Sequence, residues 1–419
     1  SMAKIVKILG REILDSRGHP TIETTVWLDS GEQGTASVPA GASTSKYEAV
    51  ELRDNDPRRF KGLGVLKAVN LINQTLAPRL KGLDPTRQTQ LDQQLINWDG
   101  TADKSQYGAN TLLSISQAGV IASAAYYHLP VYHYLWKKYY RDRPLNKIPS
   151  PTFNIINGGA HGAGNLDFQE FHLIPSARFS YSQALQIGEE VYQSLLATLK
   201  YRRAITSVGD EGGFAPDLFT NLDALAVILE ALKPTDYQLA KDVFLGLDVA
   251  ADFFYKNNHY EIKDRAQPYS QEELISYYQE LVSEFHLFSL EDGLSQDAWG
   301  GWTALNAALG SQCLIVGDDL LATNQDRIKQ AIAKKACNAI LIKPNQIGTI
   351  SETINVIDLC RKVNWKIIVS HRSGETNDSF IADFAVGTLA DYTKFGAPAR
   401  GERVAKYNRL LAIEAELKL

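Results

Sequence analysis

The chain has 419 residues, 44% of them apolar and 22% charged, with a net charge of −5. That length is generous for one hydrophobic core and points to two domains of an ordinary globular kind. The modest negative charge excludes nucleic acid and anionic membrane as expected main ligands, and the longest apolar stretch, near 118–127, is too short to span a bilayer.

Ser1 stands ahead of Met2, the one methionine, and is expected to be a cloning remnant. No charged-then-apolar leader follows, so a cytoplasmic location is expected. Cys313, Cys337 and Cys360 show no CxxC spacing and read as reduced, buried thiols.

The first ~140 residues read as an α+β domain with its strands first. Thr21-Ile-Glu-Thr-Thr-Val-Trp-Leu28 alternates imperfectly as a strand, 29–32 is a turn, and 34–38 is a second strand, giving a hairpin. A small-residue loop over 39–46 follows, then helical patterns over 64–75, 86–95 and 110–127. The charged, proline-rich segment 141–151 reads as a crossover, which sets domains at 1–140 and 141–419. Beyond it, strand-like runs at 152–156, 168–174, 243–247, 287–290, 313–317, 339–342, 366–369 and 391–395 alternate with helices. The expected helices cover 181–199, 221–232, 271–284, 302–309, 325–333, 350–362 and 379–389. About eight strands at this spacing predict a C-terminal (β/α)8-type barrel, beginning irregularly because only a loop separates its first two strands.

Four polar residues end apolar runs in that half. Asp248 follows Val-Phe-Leu-Gly-Leu, Glu291 follows Leu-Phe-Ser-Leu, Asp318 follows Cys-Leu-Ile-Val-Gly and Lys343 follows Ala-Ile-Leu-Ile, spaced 43, 27 and 25 positions apart. In a parallel barrel such strand ends open on one face, where active sites lie. Each acid alone reads as well as a satisfied polar cap. Three together, without adjacent arginines, favour a shared divalent cation, and Mg²⁺ suits an all-oxygen site. Lys343, set at a sharp strand-to-loop junction in Ile-Lys-Pro-Asn-Gln-Ile-Gly, is a candidate base.

The loops between add further groups. Ser207-Val-Gly-Asp-Glu-Gly-Gly213 holds Glu211, a candidate general acid, beside Asp210. Asn157-Gly-Gly-Ala-His-Gly-Ala-Gly-Asn165 lacks the spacing of a dinucleotide loop, and its His161 is either a turn residue or a usable imidazole. In Phe168-Gln-Glu-Phe171, alternation turns Gln169 and Glu170 to opposite faces unless a bulge intervenes. Ser370-His-Arg-Ser-Gly-Glu375, with Lys394 one unit later, suits an anionic group such as phosphate.

Together these motifs resemble the enolase family, lyases that interconvert 2-phosphoglycerate and phosphoenolpyruvate, almost end to end. Ile13-Leu-Asp-Ser-Arg-Gly-His-Pro-Thr21 is similar to the family's opening strand, and Pro39-Ala-Gly-Ala-Ser-Thr44 to its mobile loop. Gln169-Glu-Phe171, Val208-Gly-Asp-Glu-Gly-Gly213, Gly317-Asp-Asp-Leu320, Ile342-Lys-Pro-Asn-Gln-Ile-Gly348, Ser370-His-Arg-Ser-Gly-Glu-Thr376 and Gly396-Ala-Pro-Ala-Arg400 follow in the family's order. The resemblance implies an N-terminal α+β capping domain over an eight-stranded barrel with a ββαα start. It implies two Mg²⁺ ions, the tighter on Asp248, Glu291 and Asp318 and the second, recruited with substrate, on Ser43. It further implies Lys343 as the base at C2 and Glu211 as the group assisting loss of the C3 hydroxyl. Gln169, Arg372, Ser373 and Lys394 would hold substrate, with Glu170, His161 and His371 in support; enolase-superfamily sites are a worked example of such tuning.

Departures from the pattern are few. Ala40 and Ser45 replace a serine and a glycine of the mobile loop, which stiffens it. His172 stands where methionine is common, read as a packing change. Ala412 and Ala415 stand where an arginine and a glutamate pair across the family's dimer with Arg11 and Glu23, so a homodimer held mainly by apolar contact is expected. Two alternatives remain: a dehydratase of non-phosphorylated sugar acids, which the phosphate-suited residues oppose, and a surface adhesin, plasminogen-binding or scaffold role added to catalysis.

Overall fold

The computed structural model describes residues 2–42 and 44–419. Two units emerge, one running to Leu145 and adding Ile342–Leu359 and His371–Leu389, the other comprising Asn146–Leu341, Cys360–Ser370 and Ala390–Leu419. In the first, β1 (Ile5–Leu14), β2 (Pro20–Leu28) and β3 (Gln33–Ser37) form an antiparallel sheet in that order. The helix Ala109–Tyr126 lies on β2 and β3, and the Thr24 hydroxyl donates to Ser114 Oγ at 2.8 Å. Gly34 permits the approach, because a Cβ there would lie 2.3 Å from the Ala122 nitrogen.

The expected hairpin is therefore part of a three-stranded sheet. Segment 13–21, read as an opening strand, is the end of β1, a turn and the start of β2. The sequence hides β1 because its pairing shifts register between Ile5 and Lys7, and Val6, Leu9 and Leu14 are exposed. The helical pattern expected over 64–75 runs from Leu66 to Leu80 through a π-turn at Leu71–Leu76. A helix at Val131–Tyr139 was not foreseen.

The second unit is built on a closed barrel. Its strands are β4 (Ser150–Asn157), β5 (Glu170–Pro175), β6 (Val243–Asp248), then, past a small hairpin of β7 (Tyr255–Lys256) and β8 (His259–Tyr260), β9 (Leu287–Glu291), β10 (Leu314–Gly317), β11 (Ala339–Ile342), β12 (Lys366–Ser370) and β13 (Tyr392–Lys394). Around the ring the order is β10-β11-β12-β13-β4-β5-β6-β9. β5 runs antiparallel to both β4 and β6, and helices Tyr181–Tyr201 and Asn221–Leu232 precede β6, so the barrel starts ββαα. From β6 onward it settles into strand–helix alternation, with its parallel strands buried on both faces.

Helix starts follow the sequence. Ser180 with Gln183, Thr220 with Asp223, and Ser270 with Glu273 each form a reciprocal capping box. The C-terminal helix Gly401–Leu417 was unforeseen as a helix. Among the described residues no helix is long and apolar enough to cross a membrane, and all three cysteines are buried free thiols.

Candidate active site

Three neighbouring strands bring three acids into register. Glu170 opens β5 opposite Asp248, which ends β6, and Asp248 lies opposite Glu291, which ends β9. Because β5 is antiparallel, its first residue shares the barrel end with the last residues of its neighbours. Lys394, the last residue of β13, reaches all three: its ammonium lies 2.9 Å from Glu170 Oε2, 3.1 Å from Asp248 Oδ2 and 2.7 Å from Glu291 Oε2. All four side chains are buried.

One ammonium cannot balance three carboxylates. Burial pushes the Asp248 carboxyl up, and burial together with Asp248 pushes Glu291 well up. Burial also opposes the charge on Glu170, yet Lys394, His161 and His172 hold it well below the usual carboxylate range. Burial works against the Lys394 ammonium, but the surrounding acids hold its pKa well above the ordinary lysine value.

A hard divalent cation fits this donor set. Glu170, Asp248 and Glu291 can offer oxygens within 4.8 Å of one another, and Asp248 Oδ1 is buried without a hydrogen-bond partner among the described residues. Asp318 groups instead with Asp292 and Asp319. It is close enough to act electrostatically on Glu291 and Lys394. Asp292, which the sequence did not single out, accepts the Asp318 N–H at 2.9 Å and the Asp319 N–H at 2.8 Å, pinning the turn after β10.

A histidine adjoins the acids. His161 Nδ1 lies 3.3 Å from Glu211 Oε2 and 3.6 Å from Glu170 Oε2. Burial disfavours its charge, but Glu211 and Glu170 prevail and its pKa is pushed up to about 9. Asn154 Nδ2 donates to Glu211 Oε1 at 3.4 Å. His172 is more than a packing change, because its Nε2 lies 3.1 Å from Glu170 Oε1. Gln169 and Glu170 both reach Asp248 or its partners: Gln169 Nε2 donates to Asp248 Oδ2 at 3.4 Å. Gln169 lies just outside β5, so strand alternation does not govern it.

The remaining expected residues lie in the other unit. Lys343 directly follows β11 and opens a 3-10 turn at Pro344–Gln346. His371, Arg372 and Ser373 are buried, and Arg372 Nη1 donates to Glu48 Oε1 and to Asn345 Oδ1, each at 2.8 Å. Ser43 lies outside the described residues.

Residues 5–135 match the family described as Enolase, N-terminal domain, and residues 146–418 match Enolase, C-terminal TIM barrel domain. The chain belongs to the enolase family. Membership carries lyase activity of the enolase superfamily, a small-molecule substrate and Mg²⁺ binding, for which the buried acidic groups supply compatible oxygens.

Proposed function

We propose that this enolase-family chain catalyses the reversible dehydration of 2-phospho-D-glycerate to phosphoenolpyruvate, a step of glycolysis and gluconeogenesis. The observation that carries the proposal is the ring of Glu170, Asp248 and Glu291 around Lys394, short of positive charge and adjoining the buried His161–Glu211 pair. Asp248 and Glu291 from the first acidic group, joined by Asp318 from the neighbouring group rather than by Glu170, would hold one Mg²⁺, and Ser43 would contribute to a second that arrives with substrate. Bound there, the metal supplies positive charge at the substrate carboxylate and so eases ionisation of the adjacent carbon.

The chain's own groups do the rest. Lys343 Nζ takes the proton from C2. The electron pair left behind is held as the enolate of the substrate carboxylate; it then forms the C2–C3 double bond as the C3–O bond breaks, and Glu211 delivers the proton that lets the hydroxyl depart as water. Lys394 and Gln169 hold the carboxylate end, Arg372 and Ser373 the phosphate, while His161, Glu170 and His371 support the leaving-group side. Arg372 presents a planar fork suited to phosphate oxygens.

The catalytic test is the ultraviolet absorbance of phosphoenolpyruvate appearing from 2-phosphoglycerate, with Mg²⁺ and with chelator, for wild type and Lys343→Ala. Turnover that needs Mg²⁺ and is lost in the variant is expected. No turnover in metal-loaded wild type sinks the proposal.

A cytoplasmic homodimer belongs to the same proposal. Arg11 Nε donates to Glu23 Oε1 at 2.7 Å within one chain, which leaves apolar contact as the expected main support between copies. Light scattering showing only monomer at micromolar protein would refute the dimer.

A further inference from the structure

The loop over 208–213, which carries Glu211, is held chiefly through its backbone carbonyls. Arg403 Nη2 donates to the Asp210 carbonyl at 2.9 Å, the Ala397 N–H to the Glu211 carbonyl at 3.0 Å, and the Tyr192 hydroxyl to the Gly212 carbonyl at 2.7 Å. The Gly209 N–H closes the loop on the Gly213 carbonyl at 2.8 Å. A Cβ on Gly213 would lie 1.9 Å from Asn157 Oδ1, so the loop is seated hard against β4.

The first two of these bonds matter most for Glu211. A peptide unit is planar, so the Asp210 carbonyl turns together with the Glu211 N–H, and the Glu211 carbonyl together with the Gly212 N–H. Arg403 and Ala397 therefore clamp the two planes that flank Glu211. Fixing both planes fixes φ and ψ of Glu211 and the direction in which its carboxyl leaves the backbone.

Arg403 is an expensive way to fill space. It is 0% exposed, in the first turn of the helix Gly401–Leu417. A buried guanidinium needs partners, among them here the Asp210 carbonyl and the Glu402 carboxylate 3.6 Å from its Nε, whereas an apolar side chain of similar length would pack there without that demand.

Resting on the proposed role of Glu211 in hydroxyl departure, we propose that Arg403 is a positioning residue for Glu211, acting through the Asp210 carbonyl and touching no substrate. A displacement of about 1 Å at a reacting group can cost on the order of 100-fold. The loss would fall on the Glu211 step alone, since Lys343 removes the C2 proton from a different part of the chain.

Two assays separate the steps: exchange of the C2 hydrogen of 2-phosphoglycerate with solvent deuterium, followed by NMR, and formation of phosphoenolpyruvate. Arg403→Met is expected to lower phosphoenolpyruvate formation by about 10- to 100-fold while exchange stays within about three-fold of wild type. Arg403→Lys, which keeps the charge without the fork, is expected to fall between them.

Equal loss of both activities, or loss of neither, overturns the positioning role. Wild type inactive in both assays overturns the dehydration proposal itself and this one with it. Should circular dichroism show Arg403→Met unfolded, Arg403→Lys carries the test, because it keeps the buried charge and alters only the donor geometry at the Asp210 carbonyl. Its expected signature is a few-fold fall in phosphoenolpyruvate formation with exchange unchanged, and a matching fall in exchange overturns the proposal.

Discussion

Two buried cations of this chain sit in opposite charge environments. Lys394, 4% exposed, faces the carboxylates of Glu170, Asp248 and Glu291. The Arg372 guanidinium, in a residue 6% exposed, donates to the Glu48 carboxylate and to a neutral amide oxygen, Asn345 Oδ1. The first cluster sets three buried carboxyls against one ammonium, so burial raises the Asp248 and Glu291 carboxyls, and a further cation would favour their ionised forms. In the second, the Glu48 and Asn345 acceptors orient a guanidinium plane. Burial of a cation thus says little about its task until the opposing charges are counted.

The largest effect is expected where the imbalance is greatest. Lys394→Met leaves three buried carboxylates without their ammonium, and breaking a buried ion pair costs about 3–5 kcal/mol. Urea denaturation in chelator should show a loss of that order, with Mg²⁺ restoring more stability to the variant than to wild type. Turnover should fall by at least about 100-fold. Equal stability of variant and wild type in chelator would mean that the carboxylates are already neutral, and the comparison would collapse.

Glu48→Gln probes the Arg372 pair and should cost less, because Arg372 keeps a neutral acceptor and the Asn345 bond. A stability loss of about 1–3 kcal/mol is expected. If Glu48 orients the guanidinium, KM for 2-phosphoglycerate should rise several-fold while kcat moves little. A fall in kcat at constant KM would count against orientation as the role of Glu48.

How far the sequence revealed these clusters depends on burial on both strand faces. Parallel barrel strands read as unbroken apolar runs, so their polar ends stand out, and β6 and β9 do end on Asp248 and Glu291. The same rule fails for β1, a bulged edge strand with exposed apolar residues. Lys394 was legible as a positive charge for substrate but not as the partner of three acids, since a three-residue strand carries no sign of its neighbours across the ring. Asp292 was not singled out by the sequence. Its role in holding the Asp318 turn depends on a left-handed backbone (φ 47°) that composition does not announce. Arg403 likewise gave no signal, because its partner is a backbone carbonyl almost two hundred positions away.

Asp92 extends the comparison to a buried carboxylate whose named partners are all neutral. It is 0% exposed, accepts from Gln88 Nε2 at 3.0 and 3.2 Å, and accepts the Ser351 N–H at 3.0 Å at the start of the helix Ile350–Arg361. Burial raises its pKa above the ordinary aspartate value against the pull of these donors. A carboxyl raised in the folded state binds its proton more tightly there than in the unfolded chain, where the value is about 3.9. Its stabilising contribution is therefore complete below that unfolded value and is lost as pH rises through the folded one. Asp92→Asn keeps the shape and an acceptor for Ser351 but cannot ionise. Measured by urea denaturation at a series of pH values, the stability difference should move in the variant's favour as pH rises from acid to neutral. A difference that stays flat would mean that neutral donors stabilise a buried carboxylate as well as a cation does, and counting opposing charges would then not distinguish the Lys394 cluster from its surroundings.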